Sequence, residues 1–524
     1  MFSIFPRSRG IALEPITTAP TKKSKMAINK LAGCFLLTFT VIIVFTHFII
    51  IQDDDRTGIS RHITTLKQWL PSTSTVEADD KWDNLYVPRE EFPETRWVQG
   101  VAGFNYFHNL YLSNGTYIVL TSDPEHLPAK GVTAIFSGLS DPEDRWHHRP
   151  AAGEDRFMIV SPEEAEERQL FERSAVRKTG VSLMFNDVAE GKLSSFLNHY
   201  YHFSKLGFWA AREIRVVLTD SLFILSGEMF LGLWRVVAAS GETELPARLI
   251  YRANATDWRD HAGITTWFQQ AVLAETIVEE VTVYEDRKKS GMTFLFDKIA
   301  IADRWAAHRA GQEVKYWNKA NADLPLLNVT REWMDPLRNQ IKKLVQTEGC
   351  EVKRNDPEVP VVVYVNRQLT GRRLVDADAA ELLEEMEKLD AEGVIEFHNA
   401  FMEKIPRTDQ FCLALRSDIM FGVHGNGLSH QLWMKPGSGV MEIMPTTGFA
   451  RDYAILGEMM GHEYYAIHHN ATFPPDQWRK PNGWMVDQGK DFHSNRITVD
   501  GKFMAGMVRK MAEERRYVTE PELP

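Results

Sequence analysis

Two arginines, two glycines and one glutamate stand where they could hold a charged ligand. Arg367 and Arg372 follow an apolar run, Val359 to Val365, and a guanidinium offers a phosphate two parallel donors. Farther on, Ile419 to Val423 is a short apolar run, His-Gly-Asn-Gly follows it, and Leu428 to Met434 carries apolar residues at helical spacing. This order predicts strand, tight loop, helix. Gly425 and Gly427 are expected to take torsions that other residues avoid and to let backbone N–H groups come close to a ligand. The helix start behind them presents a positive dipole end to a diphosphate. After a turn at Pro436 to Gly439, a second apolar strand, Val440 to Ile443, carries Glu442 toward its carboxyl edge, where a carboxylate can accept ribose hydroxyls. The same spelling also serves as a plain turn in any α/β protein, so spacing alone leaves that reading open.

A second group lies upstream. Asn198 to Phe203 reads NHYYHF, and His199 and His202, three apart, sketch half of a metal site without a third ligand of evident spacing. The plain alternative is a histidine satisfied inside an aromatic cluster. Asp376-Ala-Asp378 has the Asp-x-Asp spelling of a metal-held diphosphate, yet it opens an acidic helix, where carboxylates meet the N-terminal dipole. It reads as a helix start, and the chemistry is expected to need no metal. A hydrolase using Asp376, Asp378 and Glu381 as paired carboxylates would leave the glycine loop unexplained.

The elements that must position these residues alternate in the second half. Val359 to Val365 predicts a strand, Ala379 to Leu389 a helix, Val394 to Phe397 a strand and Asp409 to Arg416 a helix, before the glycine loop completes strand, helix, strand. Such alternation predicts a parallel sheet with ligands at the strands' carboxyl ends, where Arg367, Arg372 and Gly425 to Gly427 all fall. The first half is less regular. Asn109 to Leu120 and Val132 to Leu139 read as strands parted by turns, Phe157 to Val160 as a short strand and Pro162 to Arg177 as a charged helix. Phe296 to Ala302 reads as a buried strand, and Trp333 to Gln346 as a helix.

At 524 residues the chain exceeds one simple core, and a net charge of -11 disfavours nucleic acid as a partner. Residues 1–30 are basic and are expected in the cytosol; residues 31–51 are uncharged and long enough to span a bilayer; residues 52–95 suit a stem. This places the bulk of the chain in the lumen of the secretory pathway. Sequons at Asn114, Asn254, Asn328 and Asn470 fit that placement, each weak by itself. Of three cysteines, Cys34 lies in the membrane-type segment, leaving Cys350 and Cys412 as a candidate pair in an oxidising compartment.

Five stretches in one order resemble the fungal-type members of glycosyltransferase family 61: NHYYHF, IADRWAAHR (Ile301 to Arg309), VYVNRQLTGRRL (Val363 to Leu374), EFHNAFMEKI (Glu396 to Ile405) and GVHGNGLSHQLWMKPGSGVMEIMP. The resemblance implies a GT-B-like α/β architecture, two Rossmann-like lobes facing a cleft, in a type II membrane protein of the Golgi or endoplasmic reticulum. It implies an inverting enzyme moving N-acetylglucosamine, xylose or arabinose from a UDP-sugar to a glycan or glycoprotein. Its donor positions correspond to Arg367, Arg372, His424, Gly425, Asn426, Gly427 and Glu442, so it adds His424 and Asn426 to the residues named above. An acceptor-side lobe over 96–345 and a nucleotide-sugar lobe over 346–480 are then expected, with 481–524 packing back on the first lobe.

Inverting transfer needs a base for the acceptor hydroxyl, and the resemblance points to His202, whose imidazole titrates near neutral pH. It points also to Glu228, but the family's acid comes shortly after the histidine, and here it is more than twenty residues late. Residues 205–226 thus read as inserted. Ser204-Lys205 can be spelled with a GTAAG splice donor and Leu218-Thr219 with a CTAAC branch sequence, so a retained intron is the favoured explanation and a genuine loop the other. With the segment in place a non-catalytic glycan-binding or scaffold protein is the rival reading.

Overall fold

In the computed structural model, residues 85–138, 150–186, 229–252, 264–312, 323–352, 356–478, 486–488, 492 and 494–515 are described. The tail, the membrane-type segment, residues 52–84 of the expected stem, Asn254, His199, His202, Glu228 and the inserted stretch 205–226 lie outside them. Among the described residues, no helix is long and apolar enough to cross a membrane.

The first sheet is mixed and nine-stranded. It takes β1 (Tyr86–Pro88), β2 (Arg96–Val101), β3 (Phe104–Ser113), β4 (Thr116–Leu120), β5 (Phe157–Val160), β6 (Ser174–Phe185), β7 (Arg248–Tyr251), β8 (Ile277–Glu279) and β9 (Thr293–Ala302). The spatial order is β5-β4-β3-β9-β6-β7-β8, with β1 beside β6 and β2 beside β3. Strands β9, β6, β7 and β8 run parallel, whereas β3 is antiparallel to β2, β4 and β9. Asn114 and Gly115 both take positive φ, 49° and 87°, which is the turn a right-twisted β3–β4 hairpin requires. Only the parallel half of this sheet is Rossmann-like.

Two expectations fail here. Where a strand is expected from Val132 to Leu139, Val132–Ile135 is a single helical turn, and Leu139 lies outside the described residues. The helix expected to reach Arg177 spans only Pro162–Glu167, capped by Ser161 accepting from the Glu164 N–H, and Gln169 at φ 52° ends it. The chain then enters β6, burying Phe171 and Ala175.

The second sheet follows the predicted rhythm. Its strands are β10 (Val361–Val365), β11 (Glu396–Ala400), β12 (Ile419–Val423) and β13 (Gly439–Ile443). Then β14 (Gly448–Ala450) departs, and β15 (Glu463–His468) and β16 (Ala471–Phe473) complete the sheet. The order β11-β10-β12-β13-β15-β16 is parallel except for the last pair, and β17 (Val486–Gln488) pairs antiparallel with β14. In β10 the odd residues Val361, Val363 and Val365 enter one core and the even residues Val362 and Tyr364 enter another. A strand covered on both faces must be apolar throughout, hence its unbroken valine run. The expected strand at Val394 to Phe397 is displaced to Glu396–Ala400, because Val394 and Ile395 lead into the sheet beneath the Asp376–Ala391 helix.

The two sheets share one core. The Met229–Ala238 helix lies between them, buried along nearly its whole length, and a Cβ on Gly232 would overlap the Phe104 ring. Its Arg235, 4% exposed, donates to the carbonyls of Leu324, Leu327 and Met459 at 2.9–3.2 Å, and Trp234 and Trp333 donate their indole N–H groups to Trp333 and Met459. The C-terminal helix, Gly501–Arg515, does not return to the first sheet as expected. It packs on the Asp376–Ala391 helix and the face of the second sheet, since its Met504, Val508 and Met511 belong to that core. Cys350 and Cys412 form a disulfide with Cα atoms 5.9 Å apart.

Candidate functional site

A sheet of order 2-1-3-4-5 has its switch point between its first and third strands, here β10 and β12, where successive connections leave on opposite faces and open a crevice. Arg367 emerges two residues beyond β10, and His424 and Gly425 directly follow β12. The turn after β10 is fixed by its own groups: the Asn366 N–H donates to Ala400 O, its amide to Asn399, and Thr370 N–H and Oγ1 both donate to Arg367 O. Arg367 is 7% exposed, and its Nη1 donates to His424 O at 3.4 Å.

Gly425 is a glycine because of that arginine. A Cβ there would overlap Arg367 Nη1, and one on Gly427 would sit 2.6 Å from Val365 Cγ1. The expected unusual torsions are not the reason: Gly425 has φ 162°, ordinary extended backbone, and Gly427 has no positive φ. Both glycines give up their side chains for close approach. The element that follows is a 3₁₀ helix, Asn426–Trp433, rather than the expected α-helix. Asn426 opens it and accepts from Ser429 Oγ at 3.2 Å.

Buried polar groups fasten this short helix to its surroundings. His430 Nε2 donates to Gln410 Oε1 at 3.0 Å, and Gln410 Nε2 donates to Met402 O and Ile405 O. His462 Nε2 donates to Gln431 O, while Gln431 Nε2 donates to Leu428 O and Tyr453 O. Burial pushes His430 down to about 3 and His462 down to about 4, so both are neutral donors at physiological pH.

His424 and Glu442 form a buried pair, His424 Nδ1 facing Glu442 Oε1, and Tyr464 donates its hydroxyl to Glu442 Oε2. Glu442 is fully buried, with both oxygens engaged. Its two oxygens therefore face protein groups, one holding the imidazole and the other the phenol. Burial, then the Glu442 charge, hold the Tyr464 phenol well above its ordinary range, so it remains a donor. The His424 ring lies edge-on to Tyr453 at 5.1 Å and against Phe492 at 4.8 Å, and the Arg372 guanidinium covers Phe492 at 5.8 Å. Arg372 thus reaches the same place as Arg367. Burial and then the Arg372 charge push Arg367 down to about 9.

Other named residues take structural parts. Asp378 Oδ2 accepts the Val499 N–H at 3.0 Å, tying the start of its helix to the C-terminal segment. In IADRWAAHR, Asp303 is fully buried and receives four donors, from Ser137 N and Oγ, Asn186 Nδ2 and Ala306 N, which makes it a helix cap and a brace for the first sheet. Asn114, Asn328 and Asn470 are exposed. Sequence reasoning missed Tyr464, Tyr453 and Phe492, whose partners are fixed only by the register of β13 with β15 and by the return of the C-terminal segment.

No curated protein matches the chain. The family model described as Glycosyltransferase 61 matches residues 261–441, roughly a third of the length, taking in Arg367, Arg372 and the glycine loop and ending one residue before Glu442. By that match, residues 261–441 are similar to glycosyltransferases of family 61, and a glycosyltransferase is the activity supported.

Proposed function

We propose that the protein transfers a sugar from a UDP-sugar, with inversion, to a glycan or glycoprotein acceptor in the lumen of the secretory pathway. The observation that carries this is Arg367 laid against Gly425 at the switch point of the second sheet. There a diphosphate meets two guanidiniums and a helix start together. The Cys350–Cys412 disulfide and the exposed sequons support an oxidising lumen, and residues 31–51 supply a type II anchor. N-acetylglucosamine, xylose and arabinose are the candidate sugars.

In this reading the acceptor oxygen attacks the anomeric carbon as the bond to the diphosphate breaks, and UDP leaves with its charge met by Arg367 and Arg372. The acceptor's proton passes to His202, with Glu228 its carboxylate partner. Catalysis needs no metal, because the arginines supply the positive charge. UDP release is the test: it is measured over a panel of UDP-sugars, with and without acceptor, with and without chelator, on the protein with and without residues 205–226. Release abolished by chelator and restored by manganese would overturn metal independence. UDP binding without release in either form would favour the rival, a glycan-binding or scaffold protein, for which the interrupted pattern before Met229 is the motive. Arg367→Ala is expected to weaken UDP binding, and His202→Ala to spare binding and lower turnover.

A further inference from the structure

With both oxygens of Glu442 engaged inside the sheet, the nucleotide's ribose needs another acceptor. The order β11-β10-β12 dictates where the chain can supply one. To pass from β11 to β12 it must cross over β10, so residues 401–406 lie across the carboxyl edge from which Arg367 emerges. This crossing is held down firmly. Met402 is buried, and it packs beside the glycine loop, its Cγ 3.8 Å from where a Cβ of Gly427 would stand. Gln410 Nε2 donates to both Met402 O and Ile405 O, so the 3₁₀ turn Met402–Lys404 is clamped at each end.

Glu403 sits in the middle of that turn, half-buried, with its Oε1 enclosed and accepting no hydrogen bond. An enclosed carboxylate oxygen without a donor is costly. Its negative charge is felt by Arg367, which puts carboxylate and guanidinium in one neighbourhood. In mononucleotide-binding sheets the acid beyond the second strand receives the ribose hydroxyls, and β11 is the second strand of this one. We propose that Glu403 is the ribose-binding carboxylate, accepting the 2′- or 3′-hydroxyl of the nucleotide whose diphosphate lies on Arg367. This rests on the nucleotide-sugar reading above.

The test is titration calorimetry of the full-length protein with UDP, 2′-deoxy-UDP and 3′-deoxy-UDP, for the native chain and for Glu403→Gln and Glu403→Ala, with thermal unfolding confirming that each variant folds. The native protein is expected to prefer UDP about tenfold over at least one deoxy analogue. In both variants UDP should weaken about tenfold, while that analogue binds as it does to the native chain, so the preference disappears. Preference retained in folded variants, or a native protein that binds UDP and both analogues alike, would overturn the assignment while leaving the diphosphate site standing. A native protein that binds none of the three would overturn the nucleotide reading itself.

Discussion

Glu442 holds His424: the carboxylate is entirely buried, one oxygen on the imidazole and the other on the Tyr464 hydroxyl. Removing one member of such a group leaves the others desolvated and unmatched. Tyr464→Phe is expected to cost about 1–3 kcal/mol of stability and Glu442→Ala about 3–5 kcal/mol, read from urea unfolding. Glu442→Ala should weaken UDP binding more than Tyr464→Phe does, because only the loss of the carboxylate leaves the His424 ring to turn between Tyr453 and Phe492. Glu442→Ala with native stability and native UDP affinity would refute the arrangement.

Gly425 and Arg367 should behave as one unit. Gly425→Ala forces the guanidinium away from the loop, so its loss of UDP affinity is expected to approach that of Arg367→Ala, on the order of tenfold or more. In the double variant nothing remains to be displaced, and the two losses should fall well short of adding. Fully additive losses in calorimetry would mean that the glycine serves some other purpose.

Acid should loosen the 3₁₀ helix from below. His430 and His462 are neutral in the folded chain, with values lowered to about 3 and about 4, whereas in the unfolded chain they protonate near 6.5. The unfolded state therefore binds more protons as pH falls below about 6.5. Stability drops through that window and levels below about 4 for His462 and about 3 for His430. The loss is on the order of a few kcal/mol for each histidine. His462→Gln is expected to flatten the dependence of Tm on pH between 6.5 and 4. An unchanged slope would assign the acid sensitivity elsewhere.

Arg235 is expected to be the most costly single side chain in the shared core. Arg235→Ala strands three carbonyl groups, on Leu324, Leu327 and Met459, and removes the cation over Trp333. A loss of about 3–5 kcal/mol is expected, with one unfolding transition in the native protein rather than two. Two separate calorimetric transitions within residues 83–524 would show that the sheets fold independently.

The second sheet was legible because its strands are covered on both faces and its connections are short: Val361–Val365 and Ile419–Val423 announce themselves by composition. The position of Arg367 followed from the strand before it. What could not be read was partnership across the sheet. Glu442 and Tyr464 are 22 residues apart, and only the pairing of Val440 with Tyr464 and of Glu442 with Ala466 sets them on one face. Glycine type was legible while its reason was not, since Gly425 answers to an arginine 58 positions away and not to its own torsions. In the first half, the β-branched and aromatic residues of Val132 to Leu139 suggested a strand, but the chain there makes one helical turn before the bridge between Ser137 and Ala151.

The helix that carries Arg235 joins the sheets as a rivet joins plates. Plates so joined do not swing, so binding UDP should leave the radius of gyration of residues 83–524 unchanged in solution scattering, and no viscosity-sensitive closing step should limit turnover. The pace of nucleotide exchange then belongs to local contacts at the crevice, such as Arg372 on Phe492, and a substitution there is expected to change the clock of the protein without changing its shape.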